Sequence, residues 1–209
     1  MMKRFLALAL VSILSTSCLA QQHPGAEEFA ARAADEYELN QEEIIALLEE
    51  ARFKQSIVDA ISRPAEGKPW YQYRPIFITD KRIRGGAEFW REHEDLIAQA
   101  SEQFEVDPQI IVAIIGVETF YGRITGSYRV LDALTTLSFY YPDTGNDRSD
   151  FFSRELMNFL LLGSEEGLPL RDVTGSYAGA MGLGQFIPSS YREYAVDMDG
   201  DGRRDLWSS

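Results

Sequence analysis

Apolar residues along this chain recur mostly at three- and four-residue intervals, and almost nothing alternates with period two beyond a few positions. The pattern predicts a mainly α-helical fold. Residues 21–38 are rich in Ala and Glu with few large apolar side chains, and read as a loose, partly helical lead-in. A firmer helix follows: Asn40 is placed to cap it, Glu43 stands three residues on, and Ile44, Ile45, Leu47 and Leu48 share one face. Ile57, Val58 and Ile61 continue a helical stretch that Pro64 ends. From Ala65 to Ile78, Gly67, Pro69 and Pro75 interrupt a run of aromatics, which reads as an extended connector. A single helix is expected from about Gly86 to Phe104, with Phe89, Trp90, Leu96, Ile97 and Ala100 at helical spacing. Asp107-Pro108 then opens the most apolar helix of the chain, Gln109 to Phe120, with Asp as N-cap and Pro in the first turn. Further helices are expected at Val130–Phe139 and Phe152–Leu162, separated by a polar turn at 142–150, and another begins at Pro188.

The N-terminus changes the picture of where the chain goes. Lys3 and Arg4 precede an apolar run from Phe5 to Leu14, and small residues follow up to Ala20, the layout of a secretory signal. The run is too short to span a bilayer, which needs about 20 apolar residues. Cys18 is the single cysteine, so no intrachain disulfide is possible. Cleavage after Ala20 would give a soluble periplasmic protein; lipidation at Cys18 would attach it to the outer membrane. Ser15 stands where lipoprotein signals usually carry leucine, which favours the soluble form. Loss of residues 1–20 removes two basic residues and moves the formal charge from −13 to −15. A chain this acidic is a poor nucleic-acid binder, because that affinity comes from Lys and Arg on phosphates. What remains is long enough for a globular domain with its own core.

One acid stands out. The stretch from Ile110 to Val117 is apolar on every face until Glu118 appears in the last turn. A helix hydrophobic all round is expected in a core. There, low dielectric and the helix C-terminus both disfavour a carboxylate, and Glu118 would be held protonated as a general acid for glycosidic cleavage. The alternative is a structural Glu paired with Arg123 or Arg129. Thr119, Phe120, Tyr121 and Gly122 follow at once, an aromatic, Gly-containing turn of the kind found in sugar-binding clefts. A second segment, GSYAGAMGLGQFIPSSYREY at 175–194, sets Gly and Ala among Tyr177, Met181 and Gln185, a composition that lets backbone approach a ligand closely or pack helices tightly.

Taken together, VETFYG at 117–122 and GAMGLGQFIPSSY at 179–191 resemble the lytic murein transglycosylases with a lysozyme-like core. WYQYRPIFIT at 70–79, AEFW at 87–90, the run 117–142 and the run 176–207 are similar, in order and spacing, to the membrane-bound lytic transglycosylase B family. The resemblance covers roughly residues 68 to 209. It implies a lysozyme-like helical core with a small EF-hand-like calcium loop. The implied enzyme cleaves the β-1,4 bond between N-acetylmuramic acid and N-acetylglucosamine without water, leaving 1,6-anhydromuramoyl ends. Glu118 matches the family's sole catalytic acid/base. Ser176 and Gln185 match polar residues near the muramoyl acetamido group and the acid, and Tyr73 matches a sugar-contacting tyrosine. Tyr121 and Met181 occupy neighbouring cleft positions, and Phe151 falls where relatives often carry tyrosine. No cofactor is implied for catalysis, the partner is the peptidoglycan strand, and a monomer is expected. Members of the family continue beyond this point, so the expected organisation is a signal at 1–20, a helical part at 21–66 and a C-terminally truncated catalytic domain at 67–209. A hydrolytic muramidase needs a second carboxylate roughly 5–9.5 Å away; Asp132, Asp143, Asp147 and Asp150 stay open for that role. A non-catalytic peptidoglycan-binding protein is the remaining alternative.

The chain also carries Asp197-Met-Asp199-Gly-Asp201-Gly202, which fits the start of an EF-hand loop with its glycine at position six. Asp197, Asp199 and Asp201 would offer carboxylate oxygens and Arg203 its backbone carbonyl, while Ser208 stands where the bidentate Glu usually closes the site. A structural Ca²⁺ is the expected ion, and an Asp/Gly-rich surface turn is the alternative.

Overall fold

A computed structural model describes residues 22–63 and 68–207. The signal, Cys18, Pro64 and Ser208 therefore lie outside the described residues. In chain order the helices are α1 (Ala26–Tyr37), α2 (Gln41–Glu50), α3 (Gln55–Ile61), α4 (Trp70–Phe77), α5 (Asp80–Glu92), α6 (Glu94–Phe104) and α7 (Pro108–Thr119). They continue with α8 (Val130–Phe139), α9 (Ser149–Glu166) and α10 (Pro188–Tyr194). Two short strands, β1 (Tyr128–Arg129) and β2 (Thr174–Gly175), pair antiparallel with Tyr128 opposite Gly175 and Arg129 opposite Thr174. The mainly helical expectation holds.

Several elements follow directly from the residues. The Asn40 side chain accepts a hydrogen bond from the Glu43 N–H at 3.1 Å and caps α2. Pro108 and Pro188 start α7 and α10, where a missing N–H costs nothing. Other expectations need correction. The lead-in is a regular helix: in α1, Phe29, Ala30 and Ala33 are buried at i, i+1 and i+4, and small residues suffice to make that face. The segment around Tyr73 is helix α4 and not a connector. Its first turn closes on the Pro69 carbonyl, and Trp70, Tyr73 and Phe77 stack along one side at i, i+3 and i+7. The single helix expected over 86–104 is two helices. His93, with φ −122° and ψ 26°, ends α5 and begins α6, and its ring packs 4.5 Å from that of Phe89.

The largest correction concerns the core. Every residue of α8 from Val130 to Ser138 is buried, although its sequence includes Asp132, Thr135, Thr136 and Ser138. It packs on α9 and α3, and the core it centres also takes in Phe29, Ile44, Leu48, Ile57, Met181 and Tyr191. Helices α1–α3 thus share one core with α8 and α9, on both sides of the boundary expected at 66–67. The most apolar helix, α7, lies outside that core. It packs against α5 and α6 through Val112, Gly116 and Thr119, while Ile110, Ile114 and Val117 stay 48, 53 and 46% exposed. Overall apolarity marked α7 for burial; the small residues Gly116 and Thr119 decided which side packs.

His23 lies buried between α1 and the end of α8. Its Nε2 lies 3.2 Å from the Ala51 carbonyl and its Nδ1 3.1 Å from the Tyr140 hydroxyl. These partners suit the neutral ring with Nε2–H donating and Nδ1 accepting. Burial pushes the His23 pKa below its ordinary value, against weaker opposing pulls from the Ala51 and Leu48 carbonyls and the Asp132 charge. A depressed histidine contributes stability that is present above the unfolded value of 6.5 and lost as pH falls through the folded one. Urea unfolding should therefore show a stability loss as pH falls below 6.5 that is missing in His23→Gln. An unchanged pH slope in that variant would contradict the assignment.

Candidate active site

Helix α7 ends in a tight turn. Thr119 is buried, donates its hydroxyl to the Ile115 carbonyl at 3.2 Å and accepts the Gly122 N–H at 3.0 Å. Phe120 (φ 52°), Tyr121 (φ 60°) and Gly122 (φ 78°) then run consecutively in the left-handed region. For the two aromatic residues this conformation costs roughly 1–3 kcal/mol each, and surrounding contacts must hold it.

Those contacts come from α5. The Tyr121 ring lies where side chains at Gly85, Gly86 and Gly116 would otherwise be: a Cβ at Gly116 would sit 2.5 Å from its hydroxyl, and one at Gly86 2.6 Å away. Arg82 reaches across from α5, and its Nη1 donates to the Gly116 carbonyl at 2.6 Å, one of the last-turn carbonyls that a helix leaves unpaired. Its guanidinium lies 5.1 Å from the Phe77 ring centre and 4.9 Å from that of Phe120. Phe77 in turn packs 5.1 Å from Tyr73, so Tyr73 on α4 is linked to the α7 turn through Phe77, Arg82 and Phe120. Sequence reasoning missed Arg82 and the glycine trio, and named Thr119 only as part of the turn. The Gly85-Gly86 pair inside a helical pattern, and Gly116 inside the most apolar helix, were the available signals.

Glu118 itself is exposed, and the low-dielectric setting expected for it is absent. It stands at i+4 from Ile114 and i+8 from Ile110, on the stripe of α7 that faces away from α5 and α6. Neither arginine considered as a structural partner pairs with it: Arg123 lies 3.8 Å from Glu88, and Arg129 pairs with Asp132. Among the described residues the Glu118 carboxyl has no hydrogen bond or ion pair.

The second segment folds back on itself beside this turn. The Ser176 N–H donates to the Ala180 carbonyl at 2.8 Å, and its hydroxyl accepts the Ala178 and Ala180 N–H groups at 3.2 and 3.0 Å. Met181 and Phe186 exchange backbone hydrogen bonds of 2.8 and 3.0 Å. Gln185, left-handed at φ 50°, donates from Nε2 to the carbonyls of Thr125 (3.1 Å) and Gly182 (3.0 Å). Leu183 presses against Gly122, where a Cβ would lie 2.8 Å from it. The structure therefore joins the turn after Glu118 to the segment holding Ser176 and Gln185. It does not bring every candidate there. Met181 is fully buried in the core and packs rather than facing a cleft, because its backbone pairs with Phe186 and turns the side chain inward. Phe151 belongs to an aromatic group on α9, 5.0 Å from Phe152 with Arg148 4.5 Å above its ring.

Of the four acids open for a second catalytic role, Asp132, Asp143 and Asp147 are occupied, and Asp150 stands in the first turn of α9. Asp132 is buried, accepts the Arg52 N–H at 2.9 Å and is held by Arg129. Asp143 and Asp147 cap their own turn through the N–H groups of Gly145 and Ser149, and the latter hydrogen bond holds Asp147 below its usual range. In the Asp-rich loop, one oxygen each from Asp197, Asp199 and Asp201 lies within 4.8 Å of the others. Asp197 also accepts the Gly200 and Gly202 N–H groups at 2.8 and 2.9 Å, and Gly202 has the φ of +87° that a sharp loop turn needs. The Arg203 N–H donates to Asp201 at 2.8 Å.

Comparison with known proteins agrees with this architecture. The family model described as the transglycosylase SLT domain matches residues 21–209. The chain is 40% identical over 195 residues to the membrane-bound lytic murein transglycosylase B of Escherichia coli (strain K12), covering 88% of this chain and 53% of that protein. Among solved structures it is similar to a soluble lytic transglycosylase from Pseudomonas aeruginosa (53% identity, TM-score 0.82), covering 89% of this chain and 62% of that one. It is also similar to an Escherichia coli lytic transglycosylase solved in complex with calcium (40% identity, TM-score 0.80), with coverage of 89% and 58%. The chain thus spans just over half the length of the curated relative.

The glycine trio makes a testable demand. Gly116→Ala forces a methyl into the Tyr121 hydroxyl and should destabilise the chain by about 1–3 kcal/mol in urea unfolding. In a Tyr121→Ala background the same change should cost well under half as much, since the clash is gone. Equal costs in both backgrounds would show that the contact is not what excludes a side chain at 116.

Proposed function

The chain belongs to the transglycosylase SLT domain family, and on that premise we propose that it cleaves peptidoglycan strands by the non-hydrolytic route, with Glu118 as the single acid/base. One observation carries the reading. Glu118 is an unpaired carboxyl at the end of α7, on a turn held in contact with the Ser176–Gln185 segment, while Asp132, Asp143 and Asp147 are engaged elsewhere. A retaining or inverting hydrolase would need a second free carboxylate near the first.

The chemistry then runs in two proton transfers. Glu118 donates its proton to the oxygen of the β-1,4 bond as the bond to the muramoyl C1 breaks. The substrate's own N-acetyl group stabilises the positive charge that develops there, as in substrate-assisted glycosidases. The Glu118 carboxylate next takes the proton of the muramoyl 6-hydroxyl as that oxygen attacks C1. No water is consumed, and the product ends in a 1,6-anhydro ring. The strand laid over the exposed carboxyl would itself exclude water from it. Ser176 and Gln185 are the polar groups assigned to the acetamido side and Tyr73 and Tyr121 to the sugar faces, while Met181 packs in the core and Phe151 with the aromatic group on α9. The N-terminal signal supports a periplasmic setting, either free or attached through a lipid on Cys18. No helix among the described residues is long and apolar enough to cross a membrane.

Digestion of purified peptidoglycan followed by mass spectrometry should yield fragments lighter by one water than hydrolysed ends. Glu118→Gln should lower their release by about a thousandfold or more while shifting stability by less than about 0.5 kcal/mol, as befits an exposed residue. Hydrated ends would favour a muramidase, and an active Gln variant would remove Glu118 from its assigned role.

The Asp-rich loop fits a structural calcium ion: Asp197, Asp199, Asp201 and the Arg203 carbonyl would hold it, and the solved relative with calcium supports this reading. Millimolar Ca²⁺ should raise the thermal midpoint of the chain, and Asp199→Ala should remove that rise with little change in the metal-free midpoint. A midpoint indifferent to Ca²⁺ would reduce the loop to an Asp/Gly-rich turn.

A further inference from the structure

A cationic concavity of about 650 Å³ opens beside β1, lined among others by Arg52, Lys54, Ser127, Tyr128, Arg129 and Asp132. Three of these side chains are cationic and one is anionic, in a chain whose net charge is −13. The local reversal of sign is built, not incidental. Asp132 lies buried on α8 and accepts the Arg52 N–H at 2.9 Å, and one turn further on Thr136 accepts the Lys54 N–H at 3.2 Å. The backbone carrying the two cations is thereby clamped to the most buried helix of the molecule. Arg129 spends its guanidinium on Asp132, with Nε at 2.9 Å, and on the Glu50 carbonyl at 2.5 Å, so it forms the wall. Lys54 lies 3.9 Å from Asp132, a long contact, and its side chain is 41% exposed. The exposed Arg52 guanidinium takes part in no ion pair among the described residues.

The position of this concavity ties it to the segment holding Ser176 and Gln185. Thr125 accepts the Gln185 side chain, Gly126 lies against Gly175 and Ser176, and Ser127 to Arg129 enter the cavity wall. Thr125 and Arg129 stand four positions apart, at most about 14 Å of extended chain. The peptide stem on a muramoyl residue has a comparable reach: four extended residues span about 13 Å. It also carries carboxylates, the group that a guanidinium fork and an ammonium recognise best.

We propose that this cavity takes a carboxylate of the peptide stem, with Arg52 and Lys54 as its ligands and the hydroxyls of Ser127 and Tyr128 beside them. The enzyme would then prefer strands whose stems are intact. The proposal rests on peptidoglycan being the substrate, and the test separates the two. Soluble glycan tetrasaccharides, one with tetrapeptide stems and one with the stems removed by an amidase, are titrated by calorimetry into the full chain carrying Glu118→Gln, which cuts neither. The stem-bearing glycan should bind about tenfold more tightly, the scale of one charge-assisted contact. Adding Arg52→Gln and Lys54→Gln should bring the two glycans within about twofold of each other at an unchanged thermal midpoint, and amidating the stem carboxylates should do the same to the parent. A preference that survives the double substitution, or a parent without one, overturns the proposal. Anhydro ends released by the unsubstituted chain in the same preparation would show the peptidoglycan reading intact in either case; their absence overturns that reading instead.

Discussion

Three stretches of backbone meet where no side chain could fit, and the rest of the site depends on that contact. A Cβ on Gly126 would lie 2.0 Å from the Gly175 carbonyl oxygen, and one on Gly175 would lie 2.2 Å from that of Ala180. The loop leaving α7, the strand leading from α9 and the returning Gly-rich turn are thus stacked main chain on main chain. Close stacking aligns their hydrogen-bonding groups. Tyr128 and Arg129 pair with Gly175 and Thr174, Ser176 pairs with Ala180, and Gln185 reaches the Thr125 carbonyl. Each bond is worth only about 1 kcal/mol net, yet buried backbone left without partners would cost more. Glu118 is positioned as a consequence, because its turn and this stack share the loop at 122–126.

The contrast between α7 and α8 shows how physical selection worked. Helix α8 offers Asp132, Thr135, Thr136 and Ser138, yet it is the buried one. Its polar atoms are used locally: the Ser138 hydroxyl donates to the Leu134 carbonyl at 2.6 Å, and Asp132 and Thr136 hold the chain at 52–54. A buried polar group with partners is tolerated and fixes one arrangement of the segments around it. Helix α7 is more apolar but offers Gly116 and Thr119 on the side where α5 approaches closely enough for Tyr121 to wedge between them. Its large aliphatic side chains point the other way and run as an exposed stripe up to Glu118. An apolar stripe ending in an unpaired acid suits the apolar face and glycosidic oxygen of a sugar chain better than it suits water.

Much of this was legible in the residues. The helix starts at Asn40, Pro108 and Pro188 were written in caps and prolines, and α8 was placed to the residue from its spacing. The site was legible only as motifs. Pattern could say that VETFYG and the Gly-rich run were special, but not that they touch, since the links are Leu183 against Gly122 and a glutamine side chain bonded to the Thr125 carbonyl sixty positions away. Burial of Glu118 was misjudged because periodicity reports which residues could be inside, whereas packing partners decide which are. The helix break at His93 left no Pro or Gly signal. It depends on a single residue whose ring found a place against Phe89.

The Asp-rich loop, remote in sequence from the acid, is coupled to the same stack. The Leu206 carbonyl accepts the Leu183 N–H at 2.8 Å, and a Cβ on Gly182 would lie 2.5 Å from that of Leu206. Just before it, the Arg204 Nε donates to Glu166 at 2.6 Å and its Nη1 to the Arg192 carbonyl at 2.8 Å, while the Tyr191 hydroxyl donates to the Arg204 carbonyl. Burial, with the nearby charges of Glu166 and Asp205, pushes the Tyr191 pKa up to about 12, so this donor keeps its proton at any physiological pH. The chain leaving the loop is therefore gripped by α9 and α10 on one side and by the Gly182–Gln185 turn on the other. An ion that ordered residues 197–203 would shorten the freedom of residues 204–206, and through the Leu206 carbonyl that of the turn presenting Gln185. Its effect on the proposed glycan cleavage would come from positioning alone, as none of its ligands is among the residues assigned to the substrate.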